Sequence, residues 1–81
     1  MANVAMYSRT TCGLCDQARE AILAVRAELP FDFEEVFVDG DHRLERAYGL
    51  RVPVVLIDGE ERFELHVDAG ELRAALSHPG A

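Results

Sequence analysis

Tryptophan and lysine are missing from this 81-residue chain, and cysteine occurs only twice. All eight basic residues are arginine and stand against fifteen Asp and Glu, leaving a formal net charge of −7. A small acidic domain repels phosphate backbones and anionic lipid, so neither nucleic acid nor a membrane surface is expected as a partner. No run comes near the roughly 20 apolar residues that span a bilayer. The stretch from Met1 to Ser8 lacks a basic segment, and its apolar run is too short for a secretory signal, so cytoplasmic residence is expected. Two cysteines are too few for a disulfide scaffold, and bridging so short a loop stabilises little. Repeats, low-complexity tracts and linkers are lacking too. That leaves one domain over residues 1–81 with one modest core, expected to be a monomer. The hydrophobic fraction of 49% is ordinary for a globular chain and sets disorder aside.

What is present falls into alternating patterns. Asn3 to Tyr7 is short, apolar and β-friendly, and reads as a buried strand that polar Ser8 to Thr11 interrupts. Leu14, Ala18, Ala21, Ile22, Val25 and Leu29 recur in steps of three and four and define one helix face, which Pro30 ends. Phe31 to Asp39 is aromatic and β-branched enough for a strand, and Asp39-Gly40-Asp41 turns the chain. Leu44, Ala47 and Tyr48 then mark a short helix with Asp41 as cap and Gly49 as stop. Val52 to Ile57 is the most hydrophobic run and reads as a central strand. Asp58-Gly59 signals a hairpin leading into an outer strand over Arg62 to Val67, and Asp68 to Glu71 resembles a capping box for a last helix carrying Leu72, Ala75 and Leu76. The order β-α-β-α-β-β-α implies an α/β domain: a parallel βαβ crossover extended by an antiparallel hairpin into a four-stranded mixed sheet flanked by helices.

Chemistry concentrates in Cys12-Gly13-Leu14-Cys15, at the junction of the first strand and first helix. A sulfur at a helix start faces the positive end of the helix, which favours the thiolate, the form that attacks disulfides. Cys15 shares a helix face with Ala18 and Ile22 and should point inward, whereas Cys12 should be the more exposed. An accessible low-pKa attacker beside a shielded resolving thiol is the arrangement that dithiol exchange requires. Arg9 adds positive charge nearby, and Asp16 opposes it. Zinc is a rival, but His42, His66 and His78 stand at no ligand spacing from the pair or from each other, so no metal site is expected. Those histidines, and the acidic pairs Glu34-Glu35 and Glu60-Glu61, are most simply solvated. Pro53 opens a buried strand, a place proline usually avoids; a cis Val52–Pro53 bond would explain it, and an ordinary trans proline at a strand's first position is the alternative.

The segment Tyr7-Ser8-Arg9-Thr10-Thr11-Cys12-Gly13-Leu14-Cys15 resembles the active-site segment of glutaredoxins. Tyr48-Gly49-Leu50-Arg51-Val52-Pro53 is similar to the cis-proline approach of thioredoxins and glutaredoxins. The element order matches over nearly the whole chain, and the resemblance is strongest to small glutaredoxin-like proteins with a C-G-x-C type site. It implies a thioredoxin-like fold and a thiol-disulfide oxidoreductase acting on protein or glutathione mixed disulfides. Cys12 would be the nucleophile, Cys15 the resolving thiol, Pro53 the cis proline and Arg9 the basic residue ahead of the motif. The Val52 backbone would pair with an extended substrate. No cofactor is implied beyond glutathione, or another cellular thiol, as reductant. Where such proteins often carry a glycine pair that helps hold glutathione, this chain has Val67-Asp68-Ala69-Gly70. Gly13 in place of the usual proline also keeps open an iron–sulfur carrier, two chains sharing a cluster through Cys12 and glutathione. A thioredoxin-fold binding module without turnover is the third reading.

Overall fold

The computed structural model describes residues 2–77. Strand β1 (Asn3–Ser8) leads into helix α1 (Gly13–Arg26), then strand β2 (Asp32–Phe37) and helix α2 (His42–Tyr48). A hairpin of β3 (Val54–Ile57) and β4 (Glu60–Glu64) follows, and helix α3 (Ala69–Ser77) ends the described chain. The sheet order is β2-β1-β3-β4, with β1 parallel to β2 and antiparallel to β3. A parallel neighbour needs a crossover, which α1 supplies, while β3 and β4 need only a tight turn. Asp58 and Gly59 make that turn, both with positive φ (52° and 84°), the conformation that two-residue hairpins demand. The fold is thioredoxin-like, a four-stranded mixed sheet with three helices.

Alternation along β1 divides the molecule. Val4, Met6 and Ser8 are buried on one face, where Val4 and Met6 meet Ala18, Ile22 and Val25 of α1, Val55 and Ile57 of β3, and Leu72 of α3. Each aliphatic side chain so enclosed contributes about 1.5–3 kcal/mol of transfer free energy. Tyr7 points to the other face and stacks on Tyr48 of α2, the ring centroids 4.1 Å apart. The carboxylate of Asp41 caps α2 by accepting from the amides of Arg43 and Leu44, and Asp68 caps α3 through the amide of Glu71.

Strand β2 is shorter than Phe31 to Asp39 at both ends and β3 begins at Val54, after Val52 and Pro53, and three further boundaries depart from the sequence pattern. Ser8 continues β1 rather than breaking it, because its carbonyl accepts the Val38 amide beyond the end of β2. Helix α1 stops at Arg26 although apolar spacing runs on to Leu29. The amides of Glu28 and Leu29 both bond the Val25 carbonyl at 2.9 Å, tightening the last turn so that the chain can reverse before Pro30. Strand β4 begins at Glu60 and ends at Glu64, not Arg62 to Val67. A two-residue turn commits pairing to start at Glu60, and Leu65 leaves the ladder with φ 67° while donating its amide to the carbonyls of Arg51 and Pro53. His66 is therefore exposed beyond the strand, and the solvated position expected for His78 lies outside the described residues.

Candidate active site

Three connections meet where β1 ends: residues 9–12, 38–41 and 49–53. Their meeting is built from hydrogen bonds. The Thr10 amide donates to Asp39 Oδ1 at 3.0 Å, and Arg9 Nε donates to the Gly49 carbonyl at 3.0 Å. Because β3 runs antiparallel to β1, with Tyr7 opposite Val54, its proline-bearing start lies at this same end.

Cys12 is the N-cap of α1. Its backbone is extended (φ −155°, ψ 109°), and its Sγ accepts the Cys15 amide at 3.1 Å. Helices usually reserve this position for a hydroxyl or carboxylate. A sulfur here receives an N–H bond at the positive end of the helix, and both effects favour its charged form. Cys15 sits one turn in, 0% exposed, packed with Val38 and Val52, while Cys12 is half-buried. The two sulfurs are bonded to each other, with Cα atoms 5.3 Å apart. The site is thus a redox-capable pair, one sulfur at the surface and one sealed beneath it.

Val52 and Pro53 are both buried, and the bond between them is cis. Among the described residues, neither the N–H nor the C=O of Val52 has a hydrogen-bond partner. Two residues ahead, Leu50 is 96% exposed. Arg9 faces this loop: besides its bond to Gly49, it approaches Glu45 at 3.6 Å. Its guanidinium braces the end of α2 against the start of α1, and its charge is shared with a carboxylate. His42, His66 and Cys12 do not converge, and no cluster of three metal-ligating side chains occurs among the described residues.

The sequence reading missed a polar cluster behind the disulfide. Arg19, one turn after Cys15, donates through Nε to Glu35 Oε1 at 2.7 Å, through Nη2 to Glu35 Oε2, and through Nη1 to Asp16 at 2.9 Å. The Arg19 bonds hold the Glu35 carboxyl below the usual carboxylate range against the opposing effect of burial, and the same bonds push Arg19 up. Only the Asp16–Arg19 spacing of three hinted at any of this. On the far side, Arg51 lies 5.7 Å from the Tyr48 ring and is paired with Glu61 and Glu64. Burial, then the neighbouring Tyr7, pushes the Tyr48 phenol up.

The Glu35 effect has a measurable sign. A carboxyl whose folded pKa lies below its unfolded value near 4.3 contributes stability that is present above that value and lost as pH falls through the folded pKa. Glu35→Gln is expected to cost about 1–2 kcal/mol at pH 7, and that difference is expected to shrink as the pH is lowered below 4. Urea unfolding midpoints for the two proteins across that range measure it.

An α/β sheet of this order, carrying a cysteine pair at the first helix start and a cis proline opposite, defines a thioredoxin-like protein. Residues 3–77 match the glutaredoxin-like domain family (DUF836), and the chain belongs to that family. It is 34% identical over 79 aligned residues to an uncharacterized protein of Mycobacterium tuberculosis, an alignment covering 91% of this chain and 81% of that one. An X-ray structure of a structural-genomics target protein from X. campestris is similar with TM-score 0.78 and 43% identity, over 91% of this chain and 95% of that one. A mutant thioredoxin from Halobacterium salinarum is similar at 25% identity with TM-score 0.66, over 94% of this chain and 72% of that one.

Proposed function

We propose that this chain is a thiol-disulfide oxidoreductase that reduces protein or glutathione mixed disulfides in a thiol-keeping compartment. The reading rests on one observation above all: the half-exposed Cys12 Sγ caps α1 and accepts the Cys15 amide, while Cys15 is sealed behind it. In the reduced chain the Cys12 thiolate attacks a substrate disulfide. A bond forms from Cys12 Sγ to one substrate sulfur, and the other leaves with the electron pair. Cys15, as thiolate, then attacks Cys12 Sγ, closes the internal disulfide and expels the first substrate sulfur. Two external thiols reopen the pair and are themselves oxidised to a disulfide. The unpaired N–H and C=O of Val52 give an extended substrate segment a place to add main-chain bonds beside Cys12. Arg9 contributes by holding the Gly49 end of that loop in place.

The test is the Cys12–Cys15 equilibrium in glutathione buffers of graded ratio, read by mass spectrometry after alkylation. Reversible closure within the range of cytosolic poise is the expected result, accompanied by turnover of a mixed-disulfide substrate. A pair that stays open at every ratio abandons the dithiol cycle.

A further inference from the structure

One buried polar group has no role in the cycle just described. Ser8 is 0% exposed, and its Oγ has no hydrogen-bond partner. A buried hydroxyl without a partner bears the full cost of its lost hydration, so such groups are rare and call for a reason. Its position supplies one. Ser8 is the last residue of the buried row Val4, Met6, Ser8, whose earlier members lie beneath Ala18, Ile22 and Val25 of α1. The end of that row therefore lies toward the first turn of the helix, where Cys15 is wholly buried. Val38 gives a second route to the same placement: its amide donates to the Ser8 carbonyl at 2.9 Å, and its side chain packs in one cluster with Cys15.

We propose that the Ser8 hydroxyl is held in reserve for Cys15 Sγ, unbonded while the disulfide is closed and donating a hydrogen bond to that sulfur once it opens. The proposal rests on the redox reading above and gives it a thermodynamic control. When an external thiolate attacks Cys12 Sγ, a new sulfur–sulfur bond forms there and the Cys12–Cys15 bond breaks. The electron pair leaves on Cys15 Sγ. That sulfur becomes an anion in a dry site, and the Ser8 O–H stabilises it while keeping its own proton. A second thiolate completes the two-electron reduction by releasing Cys12. The hydroxyl thus lacks a partner in the oxidised chain and gains one in the reduced chain, which draws the equilibrium toward the dithiol.

The other groups on this side are Glu35, Arg19 and Asp16. Glu35 lies on the adjacent strand and is held by two nitrogens of Arg19. The Ser8 hydroxyl is near enough to Glu35 to favour its charged form, so the carboxylate and the sulfur compete for one donor, and in the oxidised chain neither bond is closed.

The experiment compares wild type, Ser8→Ala, Ser8→Thr and Glu35→Gln in dithiothreitol buffers, with melting curves of both redox forms recorded alongside. Ser8→Ala is expected to move the equilibrium about tenfold toward the disulfide, equivalent to about 30 mV for a two-electron couple. In a Cys12→Ser background, Ser8→Ala is expected to raise the Cys15 thiol pKa by about one unit, read from alkylation rate against pH. Ser8→Thr restores both values, and oxidised Ser8→Ala melts no lower than oxidised wild type, which excludes general loosening. Ser8→Ala within twofold of wild type in the equilibrium, or Glu35→Gln reproducing its shift in Cys15 pKa, overturns the proposal. Neither measurement uses a substrate. A wild type that opens and closes normally beside an unshifted Ser8→Ala removes this inference alone, whereas a wild type that never closes removes the redox reading beneath it.

Discussion

Cys12→Ser is expected to reduce mixed-disulfide turnover to the uncatalysed background, whereas Cys15→Ser is expected to leave the first attack intact and trap the substrate on Cys12. The two cysteines differ in surroundings more than in separation. Cys12 combines access with two charge-stabilising contacts, the Cys15 amide and the helix start. Serine at position 12 keeps the cap but offers a hydroxyl, whose proton is far too tightly held to give a nucleophile near neutral pH. Cys15 is buried against Val38 and Val52 and meets no substrate directly. In the proposed cycle its loss spares encounter and attack but removes the thiol that resolves the mixed disulfide. Mass spectrometry of Cys15→Ser after exposure to a mixed-disulfide substrate should show one adduct on Cys12, released by dithiothreitol. Turnover persisting in Cys12→Ser, or an adduct found on Cys15 in wild type, sinks the assignment of roles.

Gly49→Ala, at the buried position where α2 ends, is expected to cost about 2 kcal/mol and to lower the melting temperature by roughly 10 °C. The reason is space, not backbone conformation. Gly49 has an ordinary right-handed φ of −51°, which any residue adopts. A Cβ there would stand 2.5 Å from the Glu45 carbonyl oxygen and 2.6 Å from the Arg9 guanidinium. The oxygen belongs to the last turn of α2 and cannot yield without opening the Gly49–Glu45 bond of 2.8 Å. The guanidinium can yield only by giving up its bond to the Gly49 carbonyl. Gly13→Ala is the control, because nothing lies within 4 Å of a Cβ at that position. It lies inside the first turn of α1, where alanine is the better helix former, so no loss is expected. Thermal unfolding of both variants in the oxidised form decides the matter, and equal melting temperatures contradict the crowding argument.

Much of the fold was legible because its strongest signals are local. The apolar spacing of α1, the Val54–Ile57 run, the Asp58-Gly59 turn and the Asp41 and Asp68 caps each depend on residues within a few positions of one another. The cysteine pair was legible for the same reason, and its sealed and open members followed from one helix turn. Strand β4 was misplaced because Phe63, Leu65 and Val67 alternate convincingly while Glu60 and Glu61 look like solvated turn. On an edge strand, charge does not oppose pairing, and the turn length decided the start. Arg9 was read as charge near the thiolate, but its partner Gly49 is 40 positions away, and nothing local announces such a bond. Ser8 was read as a strand breaker for lack of any cue that α1 would bury it. Glu35 looked solvated until the crossover brought Arg19 over it.

The cap of α1 has one more implication. In most helices the group that fastens the first turn is chemically inert, so nucleation and reactivity reside in different atoms. Here a single sulfur does both. In the proposed cycle each exchange at Cys12 changes the electron density offered to the Cys15 amide, and with it the hold on the first turn of α1. The chemistry proposed for the site and the winding of α1 thereby share one atom.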